Sequence, residues 1–224
     1  MKERSIAKVD PAKGRWLRVS LATALGAGVL VLAGCLGTGK PAPPLTAYEL
    51  YYSPPSFPDR APLDLSVTVQ FLAGSQSLAG TDMLYQTAPY RLNSYNYDRW
   101  SSPPADLVAG LVARDLSQSR LIRAAFTATT GMDSRFLLQG TVLRFLEVDD
   151  GKRGVAHVEV VATLVDTRTT AGGRAILFQK AYRGESAMPA QTGGGLADGM
   201  SSAVAQVSKS LIDDLYQTLA SYHG

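Results

Sequence analysis

Proton transfer near neutral pH is chiefly histidine work, and the 224-residue chain has two histidines, His157 and His223, with a single thiol at Cys35. His157 falls inside an apolar/polar alternation and reads as a strand-face side chain. His223 is penultimate and reads as part of a fraying terminus. A serine nucleophile elbow needs G-x-S-x-G, and Gly184-Glu185-Ser186 and Gly199-Met200-Ser201 both lack the second glycine. Metal spacings such as H-E-x-x-H or paired C-x-x-C are absent. Asp149-Asp150 is followed by Gly151-Lys152-Arg153-Gly154, which continues no calcium loop and reads as a solvated hairpin tip. The residue types therefore point away from an enzyme: no catalytic residue, metal site or diffusible cofactor is expected.

The cysteine has a different chemistry. Six basic residues, Lys2, Arg4, Lys8, Lys13, Arg15 and Arg18, precede an uncharged stretch beginning at Val19 that closes on Leu32-Ala33-Gly34-Cys35. A basic start, an apolar centre and small residues at a cleavage point are the three parts of a secretory signal peptide. The closing tetrapeptide resembles the bacterial lipobox, which implies alkylation of the Cys35 thiol with diacylglycerol, cleavage before it, and N-acylation of the new terminus. Each buried CH₂ contributes about 0.8 kcal/mol, so several acyl chains hold a protein where one is marginal. The stretch also approaches the ~20 residues of a spanning helix. Its Ala and Gly content, and the placement of an otherwise unpaired cysteine, favour the signal peptide. Leu36, where an Asp would imply retention at the inner membrane, directs the expectation to the periplasmic face of the outer membrane. Gly34 to Lys40 also fits seven positions of a P-loop, but Pro41 replaces the magnesium-binding hydroxyl and no strand precedes it.

Charge supports the same division. Of 22 basic and 19 acidic residues, six and two lie before Cys35, leaving 16 against 17 in the remainder. A near-neutral domain lacks the field that attracts a phosphate backbone, so nucleic acid is not an expected partner.

The expected organisation is a leader over 1–34, an acylated cysteine with a Gly/Pro-rich tether over 35–45, and one domain over 46–224. Tyr48 to Tyr52 reads as a short strand or extended lead-in, and Leu65 to Phe71 alternates strictly as a half-buried strand. Asp82–Gln86 and Tyr90–Tyr97 should form a hairpin about Ala88-Pro89. Helical spacing predicts a helix from about Pro104 to Ser117. Arg135–Glu147, Val155–Thr167 and Arg174–Gly184, separated by turn-rich segments, should form an antiparallel meander. Gly193-Gly194-Gly195 reads as a flexible loop before a long amphipathic helix carrying Leu196, Met200, Ala203, Val204, Val207, Leu211, Leu215 and Leu219. The fold class expected is α+β, an antiparallel sheet with two principal helices, one of them packed on a sheet face.

Tyr85, Tyr90, Tyr95, Tyr97 and Trp100 are interleaved with Arg91, Asn93, Asn96 and Arg99. Amphipathic aromatics with arginine anchor protein interfaces, and they also pack well in strands. Tyr95, Tyr97, Arg99 and Trp100 are the candidate partner-binding residues, and Cys35 is the candidate lipidation site.

The chain resembles the ABC-type transport auxiliary lipoproteins, which include the lipoprotein of the paraquat-inducible intermembrane transport system. The resemblance rests on Tyr48 to Tyr52, on Tyr95-Asn96-Tyr97-Asp98-Arg99-Trp100 leading to Pro103-Pro104, on Leu137-Leu138-Gln139-Gly140 with Phe145-Leu146-Glu147, on Leu164-Val165-Asp166, and on the closing helix. It implies a non-enzymatic accessory subunit working with ABC transporter subunits and a periplasmic MCE-domain protein to move lipid between membranes. Phospholipid and further copies of the chain are additional candidate partners. A different reading keeps the lipoprotein but makes it a carrier or assembly factor, binding a lipid or envelope component between sheet and helix.

Overall fold

The computed structural model describes residues 42–132, 134–149, 151, 153–168 and 175–223. The leader, Cys35 and most of the tether lie outside them. The described domain contains strands β1 (Thr46–Tyr48), β2 (Leu63–Ala73), β3 (Asp82–Ala88) and β4 (Arg91–Trp100), helix α1 (Pro104–Ser119), strands β5 (Ile122–Thr127), β6 (Phe136–Asp149), β7 (Gly154–Asp166) and β8 (Ala175–Ala187), and helix α2 (Gly193–Ser221). Among the described residues, no helix is long and apolar enough to cross a membrane.

The longest strand, β6, organises the sheet. One edge pairs antiparallel with β7 along its length. Its other edge is shared, first by β2, from Val67↔Phe136 to Ala73↔Val142, and then by β3, from Leu84↔Leu146 to Gln86↔Val148. The amide of Gly74 donates to the Val142 carbonyl at 2.8 Å where β2 hands over to β3. A register shift between Val142 and Arg144 marks the same place. The sheet therefore forks, with β2–β5 on one branch and β3–β4–β1 on the other.

The expected mixture of one sheet and two principal helices holds, but a wholly antiparallel sheet does not. The meander β6–β7–β8 and the hairpin β3–β4 are antiparallel. The pairings β1–β4, β2–β5, β2–β6 and β3–β6 are parallel. The physical reason is the crossover: the chain leaves β2, makes the β3–β4 hairpin, returns through α1, and places β5 and β6 on either side of β2. Strand β5, with Arg123 near its start and six residues in all, was not anticipated.

Both helices, rather than one, cover the same face of the sheet. α1 lies on β2 and β5, α2 lies on β7 and β8, and the two touch. On β7 the residues Ala156, Val158, Val160, Ala162 and Leu164 point into the core, while His157, Glu159 and Val161 line the opposite face. They meet Leu196, Met200, Val204, Val207, Leu211 and Leu215 of α2, all fully buried. Such a side chain contributes roughly 1.5–3 kcal/mol when withdrawn from water. α2 approaches β8 closely because Gly184 has no side chain: a Cβ there would lie 2.1 Å from the Ala203 carbonyl oxygen.

The glycine run is the first turn of α2, not a flexible loop. Thr192 caps it, its hydroxyl accepting from the Gly195 amide at 3.1 Å. A Cβ on Gly195 would stand 1.9 Å from the Ala190 carbonyl.

Candidate functional site

The aromatic and arginine-rich stretch occupies β4, and its backbone is irregular. Asp82 pairs with Arg99 and Leu84 with Ser94, so Tyr95-Asn96-Tyr97-Asp98 oppose the single residue Met83. A bulge bends a strand and redirects its side chains. Arg99 fixes this one: its Nη1 donates to the carbonyls of Tyr95 at 2.6 Å and Asp98 at 2.8 Å, and its Nε lies 3.1 Å from Asp82 Oδ1.

Within the bulge, alternate residues have different surroundings. The Tyr95 ring turns inward, edge-on to Tyr85 at 5.4 Å, and its hydroxyl donates to Glu147 Oε2 at 2.5 Å. Burial, then the hydrogen bond to Glu147, push the Tyr95 hydroxyl above its ordinary pKa, so it stays a donor. Glu147 is 3% exposed and lies on the helix-covered face of β6. Gly154 leaves it room, since a Cβ there would sit 2.4 Å from Glu147 Oε1. Asp98 faces the start of α2, where a carboxylate is favoured, and a Cβ on Gly193 would meet its Cγ at 2.5 Å. Burial and Asp98 raise the pKa of the Tyr48 hydroxyl. Asn96 and Tyr97 remain outside, Tyr97 at 44% exposed.

A pocket of about 320 Å³ opens beside the bulge, lined by Tyr85, Tyr95, Asn96, Glu147, Asp149 and Gln191. It offers carboxylates, amides and phenol edges to a polar or cationic side chain. No metal-ligand cluster of three or more His, Cys, Asp or Glu occurs among the described residues.

The candidate partner-binding residues therefore separate. Tyr97 is on the surface, Tyr95 lines the pocket, and Arg99 holds the backbone that carries both. Trp100 is 1% exposed and packs edge-on against Phe145 at 5.2 Å, as a core anchor out of reach of a surface partner. Cys35 lies outside the described residues. His157 sits on the uncovered sheet face with Nδ1 3.7 Å from Glu185 Oε1, and His223 is exposed at the end of the chain.

Sequence reasoning passed over a second polar cluster. Asp115 of α1 is 0% exposed and accepts from the Tyr52 hydroxyl at 2.7 Å, the Ser208 hydroxyl at 2.6 Å and the Arg114 guanidinium at 2.7 Å. It ties the lead-in segment to both helices. An acid on the apolar stripe of Leu111, Val112 and Leu116 is the signal that could have found it.

The space between sheet and helices is filled by Val112, Leu116, Val158, Val160, Met200 and Leu211, all fully buried. A carrier reading would need a cavity in that space.

The family model described as "ABC-type transport auxiliary lipoprotein component" matches residues 48–211, which include the bulge, the Asp115 cluster and most of α2. A crystal structure of a Xanthomonas campestris protein of family DUF330 is similar, with a TM-score of 0.70 and 18% identity, over 78% of this chain and 97% of that one. A second solved structure, of an uncharacterized protein, gives 0.56 at 18% identity, over 77% and 99%. At such identity these likenesses speak to the fold alone. Comparison with curated proteins returned no match. With the family match spanning most of the described domain, the chain belongs to the ABC-type transport auxiliary lipoproteins.

Proposed function

We propose that the protein is an outer-membrane-anchored accessory lipoprotein of an ABC/MCE-type intermembrane lipid transport system, and that it acts as a non-enzymatic docking subunit. Lipid on Cys35 holds it at the periplasmic face. The β4 bulge receives the periplasm-spanning MCE-domain component, and through it the ABC transporter subunits. The observation that carries this reading is the Arg99-clamped bulge, which presents Asn96 and Tyr97 beside an open acidic pocket in a chain of an auxiliary transport family. A rigid aromatic next to adaptable amides and a carboxylate is the composition of a binding hot spot. Backbone held at two carbonyls by one guanidinium, itself paired with Asp82, loses little entropy on binding.

Affinity purification of the full-length protein from its own envelope, with mass spectrometry of what accompanies it, tests the reading. Enrichment of an MCE-domain protein with the wild type, reduced at least ~10-fold in Tyr97→Ala as loss of a hot-spot residue implies, is the expected result. Equal recovery by Tyr97→Ala and wild type would move the docking surface elsewhere. Loss of membrane attachment in Cys35→Ser is expected separately.

A further inference from the structure

Strand polarity places several exposed features at one end of the domain. β1 is parallel to β4 with Thr46 opposite Asp98 and Tyr48 opposite Trp100, so the chain enters from the side of the β3–β4 turn. β3 is parallel to β6, so its end at Ala88 lies level with the end of β6 at Asp149. The β3–β4 tip and the end of β6 thus share one end, and the chain at Leu45, level with Tyr97, comes in from that side. Ile176, at the start of β8 and opposite Val165, marks the other end.

The shared end carries exposed apolar, aromatic and basic residues, with Asp149 among them. Tyr90 is 103% exposed at φ 65, in the left-handed region that a bulky residue seldom adopts. Leu92, two residues on, is exposed as well. A groove of about 580 Å³ between the tips is lined by Ala88, Pro89, Val148 and Asp149 with Arg144. Arg91 and Arg144 are exposed and have no ion-pair partner among the described residues. Tyrosine with snorkelling arginine is the composition that settles at a membrane–water boundary.

Chain length fits. From Cys35 to Thr46 an extended chain spans up to about 36–40 Å. From Arg99 back to Arg91, which pair with Asp82 and Ala88, is about 20 Å of strand.

We propose that the β3–β4 tip, Pro89 to Leu92, rests in the headgroup layer of the membrane that holds the Cys35 lipid, Arg91 and Arg144 facing lipid phosphates. This rests on the reading of Cys35 as the anchor. The lipid layer then sets the orientation of the domain, and the β4 bulge opens just above it.

The test uses full-length acylated protein in vesicles of phosphatidylethanolamine and phosphatidylglycerol, with Tyr90→Trp or Ile176→Trp and lipids brominated in their acyl chains. Both positions are exposed, so both variants should fold; wild-type Trp100 emission is subtracted. The expected result is that both variants float with the vesicles, while Tyr90→Trp alone shifts to the blue and is quenched at least ~2-fold more than Ile176→Trp, as shallow insertion requires. Arg91→Glu with Arg144→Glu should reduce that quenching. Flotation with equal quenching at the two positions overturns the proposal, as does protection of the tip only when a transport subunit is added. Failure to float overturns the anchor reading and the proposal with it.

Discussion

Replacing Arg99 with Met should loosen the β4 bulge while leaving the core intact. The guanidinium makes two hydrogen bonds to carbonyls, at 2.6 and 2.8 Å, and an ion pair to Asp82 at 3.1 Å, and its side chain is 28% exposed. A hydrogen bond involving a charged group contributes about 1.5–3 kcal/mol when sheltered, and an exposed ion pair about 0.2–1. The carbonyls can regain water once the side chain is gone, so about 2 kcal/mol is the expected loss for Arg99→Met. Arg99→Lys should lose about half of that, because an ammonium cannot span both carbonyls and the carboxylate with a planar fork. Urea denaturation followed by Trp100 fluorescence reads the effect, since that ring is the next residue and lies in the core. Amide exchange at Tyr97 and Asp98 should accelerate more than exchange in β7. An Arg99→Met variant within about 0.5 kcal/mol of wild type, with unchanged exchange in the bulge, would refute the clamp.

Other expectations follow from the same contacts. Asp115→Ala leaves the Tyr52 and Ser208 hydroxyls without their acceptor and should cost about 3–4 kcal/mol in the same denaturation assay, with a double cycle against Tyr52→Phe showing strong coupling. Gly184→Ala should cost about 2–3 kcal/mol by driving α2 from β8, seen as a lowered Tm, because its methyl would meet the Ala203 backbone. Asp166 is held below the usual carboxylate pKa of 3.8, first by the Arg135 hydrogen bonds and also by the Arg168 amide and the Tyr222 hydroxyl. A depressed carboxylate stabilises the fold above its unfolded value and loses that contribution as pH falls through the lower folded value. The stability gap between wild type and Asp166→Asn, measured by denaturation from pH 7 to 2, should therefore be widest near neutrality and close below about pH 4.

What the sequence made legible was local. The β6–β7–β8 meander was readable because Asp149–Gly154 and Thr169–Gly173 are turn chemistry between alternating strands, and α2 because eight apolar residues recur at helical spacing. Parallel partners leave no such trace: nothing within Leu63–Ala73 says that it will lie between β5 and β6. Composition singled out Tyr95, Tyr97 and Arg99 as candidates, but not their different places in the bulge. Tyr97 and Trp100 fall on opposite faces of any regular strand, and the bulge between them resets the register, so residue type alone could not say which ring was core. Asp115 was hidden because its partners are 63 and 93 residues away in the chain.

The most direct test of the docking account is site-specific photo-crosslinking in intact cells, with a benzoylphenylalanine at Tyr97 and a second at Ile176 on the far end of the domain. The expected result is an adduct between position 97 and an MCE-domain transport component, absent from position 176 and lost in Cys35→Ser. An adduct from position 176 with that component and none from position 97 would contradict the account.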